Sequence, residues 1–402
     1  MRRSLAFLLA TVFLDILGLG IIVPIAPSLI IAITGHASSA ARWSGVIDSS
    51  YGVLQFLSAP LLGRAADRYG RRPVLIASVT LLGVDFLTHS VAGHIWQLVA
   101  AHALAGLFAG NGIAVNAYIA DVTEPDARAR AYGLLGAAFS AGFIAGPAIG
   151  GALGAVSVRL PFLVAGCLCL INALFGWLVL PESRPGDRRT ALTWRLVNPI
   201  GAVAGLLRRP VLGRLAAARM CRDVARQIDQ VAWVFFMTAR FGWSTLHVGA
   251  AMAAGAVLSG VVDVKLTGPA VGRFGARTVA VGCTGLGIVA FTGYAVAPVG
   301  WCAYPLIVID VVAGLAAAAL DTLIANATGA SEQGTVQGAL GGMAALAEAV
   351  VPVAALSLLA ATLPTAWPGA VFAIAAVALS GSLYALRSNG DNGNRHLRTE
   401  SS

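Results

Sequence analysis

The sequence predicts an all-α membrane protein of twelve transmembrane helices in two six-helix pseudo-repeats, and three observations carry that prediction. Of 402 residues, 58% are hydrophobic and only 11% are charged, too few charges to cover the surface of a soluble domain. Apolar stretches recur along the whole chain, each long enough to supply the about 20 residues that cross a roughly 30 Å hydrocarbon core. The second half also repeats landmarks of the first at a constant offset of 205 residues. Gly63, Arg68, Gly70 and Arg72 return as Gly268, Arg273, Gly275 and Arg277, Gly133 as Gly338, and Pro147 as Pro352. The Gly/Ala/Leu-rich segments lack the short alternation of a barrel, so the spans are expected to be helices.

In chain order the spans fall near residues 5–33, 44–63, 73–91, 95–118, 131–155 and 160–180, then 214–239, 246–270, 278–297, 302–325, 335–361 and 366–386. Residues 1–180 make the N-terminal half and 214–387 the C-terminal half. Residues 181–213, rich in Arg, Pro and Gly, read as a cytoplasmic linker, and the polar tail 388–402 as disordered. The first span starts basic like a signal peptide, but it is long, contains Asp15 and shows no cleavage pattern, so it is expected to be retained.

The net charge of +9 does not call for a nucleic-acid partner, because the arginines sit between apolar runs. Arg2 and Arg3, Arg64 to Arg72, Arg128 and Arg130, Arg184 to Arg214, Arg273 and Arg277, and Arg387 onward fall in alternate connections; the opposite ones hold little beyond Arg42, Arg159 and Arg240. The positive-inside rule then puts both termini in the cytoplasm of a multi-pass inner-membrane protein. The only lysine, Lys265, lies in a span, so no G-x-x-x-x-G-K-[ST] phosphate loop exists and an ion gradient, not ATP, is the expected energy source. The five cysteines lack metal-ligand spacing, and neither a metal nor another cofactor is expected.

Charged residues inside spans are the functional candidates, because ionisable groups in lipid are costly. Asp15 in the first span and Asp85 in the third are candidates for proton coupling, the alternative being a hydrated helix end. His102 in the fourth span could take up a proton near neutral pH or simply be hydrogen-bonded in the core; Asn111 and Asn116 follow it as substrate-binding candidates. In the seventh span Arg219, Arg222, Asp223, Arg226, Asp229, Gln230 and Trp233 recur at three- and four-residue steps, one polar stripe on an apolar helix. Its deeper members Arg226, Asp229, Gln230 and Trp233 are expected to meet a watery cavity and a polar substrate. Asp310 and Asp321 in the tenth span add carboxylates to the proton-coupling set. Gating is expected at the charged loop holding Gly63, Asp67, Arg68, Gly70, Arg71 and Arg72, with Asp67 pairing to Arg128 or Arg130, and at the bendable Gly146-Pro147 step.

The spacing G-x-x-x-D-R-x-G-R-R from Gly63 to Arg72 resembles the loop signature of the major facilitator superfamily, and Gly133, Gly142, Gly146, Pro147, Gly150 and Gly151 match its antiporter series G-x8-G-x3-G-P-x2-G-G. With Leu14-Asp15 to Pro27, Gln55 to Pro60 and Ala117 to Asp121, the chain is most similar to the drug/proton antiporter branch, and within it to the tetracycline/proton antiporters. The resemblance implies export of a small amphipathic drug against protons by a functional monomer, with substrate near the midplane between halves. It also implies roles for Asp15 and Asp85 as required acids, Gln55 beside the substrate path, and Asp67 and Arg71 as gate residues. The family's ninth-span acid appears here as Gly287, its eighth-span histidine as Ser259 and its fourth-span arginine as His102. Either Asp229, Asp263, Asp310 or Asp321 replaces that acid, or the substrate is not a magnesium-chelated tetracycline. A metabolite/proton symporter and a non-transporting membrane receptor are the rival readings; no nucleophile–base pair with usable spacing points to an enzyme.

Overall fold

In a computed structural model, which describes residues 2–109, 115, 118–119, 125–183, 199–329 and 332–387, every regular element among the described residues is helical. The helices are α1 (Arg2–Ile22), α2 (Ala26–Thr34), α3 (Ala37–Tyr69), α4 (Arg71–Val91), α5 (Ile95–Leu107), α6 (Pro125–Val156), α7 (Leu160–Val179), α8 (Pro199–Leu207) and α9 (Pro210–Phe241). They continue as α10 (Thr245–Lys265), α11 (Thr267–Phe274), α12 (Ala276–Val296), α13 (Ala303–Ala313), α14 (Leu315–Asn326), α15 (Gln333–Thr362) and α16 (Ala370–Arg387). Among the described residues, eight helical stretches are long and apolar enough to cross a membrane, or nine if the bent pair α1–α2 is one span. Three further expected spans are also helical. Those near 44–63 and 214–239 carry the polar residues that lower their hydropathy, and the one near 95–118 lies partly outside the described residues.

Several boundaries differ from the sequence expectation for local reasons. The first span bends by 45° around Pro24, which has no N–H to continue the helical ladder. The charged segment 63–72 is not an open loop: α3 continues to Tyr69 and α4 starts at Arg71, so the turn is Gly70 alone. Gly70 has φ 110° and ψ 160°, a conformation that favours glycine. The expected linker 181–213 contains α8, and the tenth span is two helices meeting at Gly314.

The chain forms two compact units, Met1–Val197 with Gly242–Ala256, and Asn198–Phe241 with Val257–Ser402. In the first, α1 packs along α6 through glycine. A Cβ on Gly146 would lie 2.6 Å from the Gly20 Cα, one on Gly142 would lie 2.8 Å from the Phe13 carbonyl oxygen, and one on Gly150 would strike Ile21. The start of α10 uses the same device against α6, where a Cβ on Gly151 would lie 2.8 Å from the Thr245 carbonyl oxygen. Side chains absent from these contacts let the backbones approach and gain dispersion contacts, the main attraction available between helices in lipid. In the second unit, Phe236 meets Phe372 edge-on with ring centroids 5.0 Å apart, and Tyr294 joins them. Large apolar side chains such as Val91, Leu178 and Val264 point outward, as expected where the surrounding medium is hydrocarbon.

The two units share a local solution at repeated positions. Gly275, 205 residues after Gly70, also has positive φ, at 80°. Arg72 donates from Nη2 to the Trp177 carbonyl near the end of α7. Arg277 donates to the carbonyls of Leu386 at 2.8 Å and Arg387 at 3.2 Å, at the end of α16. In each unit, therefore, an arginine in the third helix of the repeat satisfies carbonyls left open at the end of the sixth.

Gly146→Ala is expected to destabilise the protein by about 1–3 kcal/mol through overpacking against the α1 backbone. Gly133→Ala, on the same helix with no described atom within 4 Å of its Cβ position, is expected to leave stability unchanged. Thermal unfolding of the two variants in detergent checks the contrast.

Candidate functional site

Two groups of polar side chains interrupt the apolar interior, one in each unit. In the first unit Asp15 is buried on α1, where Asn172 of α7 donates to its Oδ1 at 3.4 Å. Asn172 is itself held by Thr11, whose hydroxyl donates to its Oδ1 at 3.2 Å. A carboxylate inside a helix bundle needs donors of this kind, because no bulk water is there to solvate it.

Asp85 lies on α4 with its side chain fully shielded. Its Oδ2 is 2.7 Å from Nδ1 of His102 on α5, and its Oδ1 is 3.1 Å from Nδ1 of His89, one helical turn away on α4. His102 lies against the Tyr51 ring and His89 stacks on Phe162. Asp48 on α3 acts electrostatically on both imidazoles. The sequence reading singled out Asp85 and His102 but missed His89 and Asp48. The signal for His89 was its place four residues after Asp85, on the same helix face; Asp48 has no such local signal.

The second unit holds a partly open cavity of about 290 Å³. Arg222, Arg226 and Asp229 reach it from α9, Ser259 and Asp263 from α10, and Asp310 from α13, with Phe291, Val311 and Leu379 as apolar walls. Asp229 and Asp310 repel each other electrostatically, while Arg226 attracts both. Gly287 lines the same cavity, and a Cβ there would meet only the tip of Leu379 and Ala313. The cavity therefore presents both signs of charge beside an apolar wall.

The other expected residues are placed as follows. Gln230 is exposed and Trp233 is buried, hydrogen-bonded to Tyr294; neither lines this cavity. Asp321 is also outside it, half exposed and paired with Arg219, which binds Asp223 at 2.9 Å as well. Gln55 is half-buried on α3, and its Oε1 accepts no hydrogen bond among the described residues. Asn111 and Asn116 lie outside the described residues, as do the side chains of Asp67, Arg128 and Arg130, and with them the expected Asp67 ion pair.

At the charged turn, Glu182, unnoticed in the sequence, caps the start of α4. The backbone N–H of Arg71 donates to its Oε1 at 2.9 Å and that of Arg72 to its Oε2 at 3.3 Å, satisfying open donors and opposing the positive end of the helix dipole. Arg68 lies over the Tyr69 ring. In the second unit, Arg209 and Glu332 form a two-pronged pair at 2.6 and 3.0 Å outside the spans. Its hydrogen bonds hold the Glu332 carboxyl below the usual range.

Residues 8–352 match the family model described as Major Facilitator Superfamily. Tetracycline resistance protein, class C, of Escherichia coli is 33% identical over 386 residues, which cover 96% of this chain and 97% of that protein. Multidrug resistance protein 2 of Bacillus subtilis (strain 168) is 26% identical over 67% of each chain. The crystal structure of the nucleoside transporter NupG superposes with a TM-score of 0.78 at 15% identity, covering 96% of this chain and 98% of that one; at that identity the likeness is one of fold.

Asn172→Ala is expected to cost about 1–3 kcal/mol, since it takes a donor from buried Asp15 and leaves Thr11 without its partner. Thermal unfolding in detergent, compared with Thr11→Val, measures it; equal stability of Asn172→Ala and wild type would remove Asn172 from its assigned positioning role.

Proposed function

The chain belongs to the major facilitator superfamily; it is a multi-pass membrane transporter and not an enzyme, and we propose that it exports a tetracycline-like or other amphipathic drug in exchange for protons. In this reading it works as a monomer by alternating access in the inner membrane, with both termini in the cytoplasm. The observation that carries the reading is the cavity of the second unit. A drug with an apolar ring system and ionised substituents finds there an apolar wall at Phe291 and Leu379, guanidinium groups at Arg222 and Arg226, and carboxylates at Asp229, Asp263 and Asp310.

Exchange follows from the electrostatics of that cavity. Asp229 and Asp310 are close enough to repel, so a proton on either one lowers the negative charge that would hold a cationic group of the drug. Proton and drug thus compete for one site, and competition between two ligands of an alternating protein is antiport. Gly287 lies in the same cavity, so the carboxylate that the resemblance expects there is supplied by its neighbours Asp229 and Asp310. Asp15, positioned by Asn172, is the coupling acid of the first unit. The relationship to tetracycline resistance protein, class C, supports the drug class, with the drug carried as a magnesium chelate if it is tetracycline. A broad-specificity multidrug antiporter is the second reading, favoured by the apolar wall and by the relationship to multidrug resistance protein 2.

Reconstituted liposomes with an imposed pH gradient test the proposal, following tetracycline and lumenal pH together, with and without magnesium. Opposed fluxes are expected in the wild type. Asp229→Asn and Asp310→Asn are expected to reduce both fluxes to the protein-free background, whereas Asp321→Asn, outside the cavity, is expected to retain them. Wild-type exchange in both cavity variants would overturn the assignment. A motionless tetracycline with an exchanging apolar cation such as ethidium would select the second reading.

A further inference from the structure

The side chains of Asp85, His89 and His102 bring one carboxylate and two imidazoles together in the first unit, and all their ligand atoms lie within 4.8 Å of one another. We propose that this cluster is a binding site for a divalent transition-metal ion of the zinc class. Its ligands are a carboxylate oxygen of Asp85 and one ring nitrogen each from His89 and His102, and Asp48 supplies a second negative charge beside them.

Four observations converge on this site. The first is spacing: zinc bonds of about 2.0–2.1 Å in a tetrahedron put ligand atoms about 3.3 Å apart. The carboxylate–imidazole distances are 2.7 and 3.1 Å, each to a different oxygen of Asp85, and the whole set lies within 4.8 Å, so an ion enters once the side chains draw together by up to about 1.5 Å. The second is a partly satisfied atom. Buried Asp85 Oδ1 has no well-formed hydrogen bond among the described residues, because its neighbour His89 Nδ1, 3.1 Å away, also lies 2.9 Å from the Asp85 backbone carbonyl oxygen. A carboxylate oxygen that shares its one partner in a shielded place gains from a cation beside it.

The third observation is charge. Two carboxylates and two neutral imidazoles carry the complement of one divalent cation, so the loaded cluster is neutral, which a low-dielectric interior favours. The fourth is access and rigidity. His102 keeps 20% of its side chain exposed, while Phe162 and Tyr51 pack against the two rings. Two imidazoles and a carboxylate are a donor set for zinc, cobalt or iron and a poor one for magnesium. On loading, each imidazole presents its lone pair at Nδ1 and carries a single proton on Nε2, any proton displaced from Nδ1 leaving to solvent, so binding needs no oxidant or other reactant. The ion would tie α4 to α5, with Asp48 of α3 beside it. The ligand positions lie on two helices and are separated by three and by twelve residues, which is why no local motif announces them.

The test uses the full chain in detergent with any polyhistidine tag removed, and cobalt(II) and zinc(II) as probes. The wild type is expected to take up one equivalent of cobalt with the strong visible absorption of a four-coordinate ion, displaced by zinc. His89→Gln and His102→Gln are each expected to weaken binding by at least about tenfold, the scale of losses at metal-supporting positions. His36→Gln, at an exposed histidine, is expected to bind like the wild type. X-ray absorption of zinc-loaded wild type, which needs no variant to fold, is expected to show scattering from two imidazoles. No saturable uptake at one equivalent, uptake that survives both substitutions together, or a zinc spectrum without imidazole scattering would each overturn the proposal. None of these readouts involves drug flux, so the site stands or falls separately from the export reading.

Discussion

The constraint on which the rest of the structure depends is that an ionised side chain in hydrocarbon must find its partners inside the protein. Each charge facing the bilayer centre costs about 2.5–3.5 kcal/mol even on the mildest scale. The five charged residues from Arg219 to Asp229 on α9 would together cost more than about 12 kcal/mol if turned to lipid, as much as a typical domain's whole stability. They are turned inward instead: Arg219 is clasped by Asp223 and Asp321, and Arg222, Arg226 and Asp229 share a cavity with Asp310. The same constraint places Asn172 against Asp15 and sets two imidazoles on Asp85 in the first unit.

Backbone groups obey the constraint as strictly as side chains do. Ends of helices leave donors and acceptors open, and an apolar surround offers no water to close them. Glu182 closes the start of α4, Arg72 the end of α7, Arg277 the end of α16, and Arg159 the end of α4 through the carbonyls of Ser90 and Ala92 at 2.9 and 2.7 Å. Several conspicuous charges of the sequence are therefore caps. This explains how a helix can run straight through a segment as charged as 63–69: its polar side chains occupy the last turns, and a single glycine of positive φ reverses the chain.

What was legible in the sequence followed from short-range rules. Apolar runs of span length, the 205-residue repeat and the glycine series on α6 depend on neighbours along the chain, and the described helices occupy the stretches that those runs marked. The polar stripe of α9 was legible for the same reason, since three- and four-residue steps share a helix face. Asp310 and Asp321 looked equivalent in sequence, yet eleven positions along a broken span put one in the cavity and the other half exposed on Arg219. Gln230 and Trp233 continued the α9 stripe on paper; neither lines the cavity that Arg226 and Asp229 line, Gln230 being exposed and Trp233 buried on Tyr294.

The sequence by itself determined that the chain crosses a membrane in helices arranged as a repeat, because hydrophobic length and periodicity are properties of contiguous residues. Only the tertiary structure decided which ionisable groups meet. His89 and His102 converge on Asp85 from two helices, Asp48 joins from a third, and Gly287 opens on a cavity whose acids come from α9, α10 and α13. The physical reason is that pairing in a bundle is fixed by how helix faces rotate and slide against one another, and here that packing depends on contacts such as Gly20 with Gly146, between residues more than a hundred positions apart.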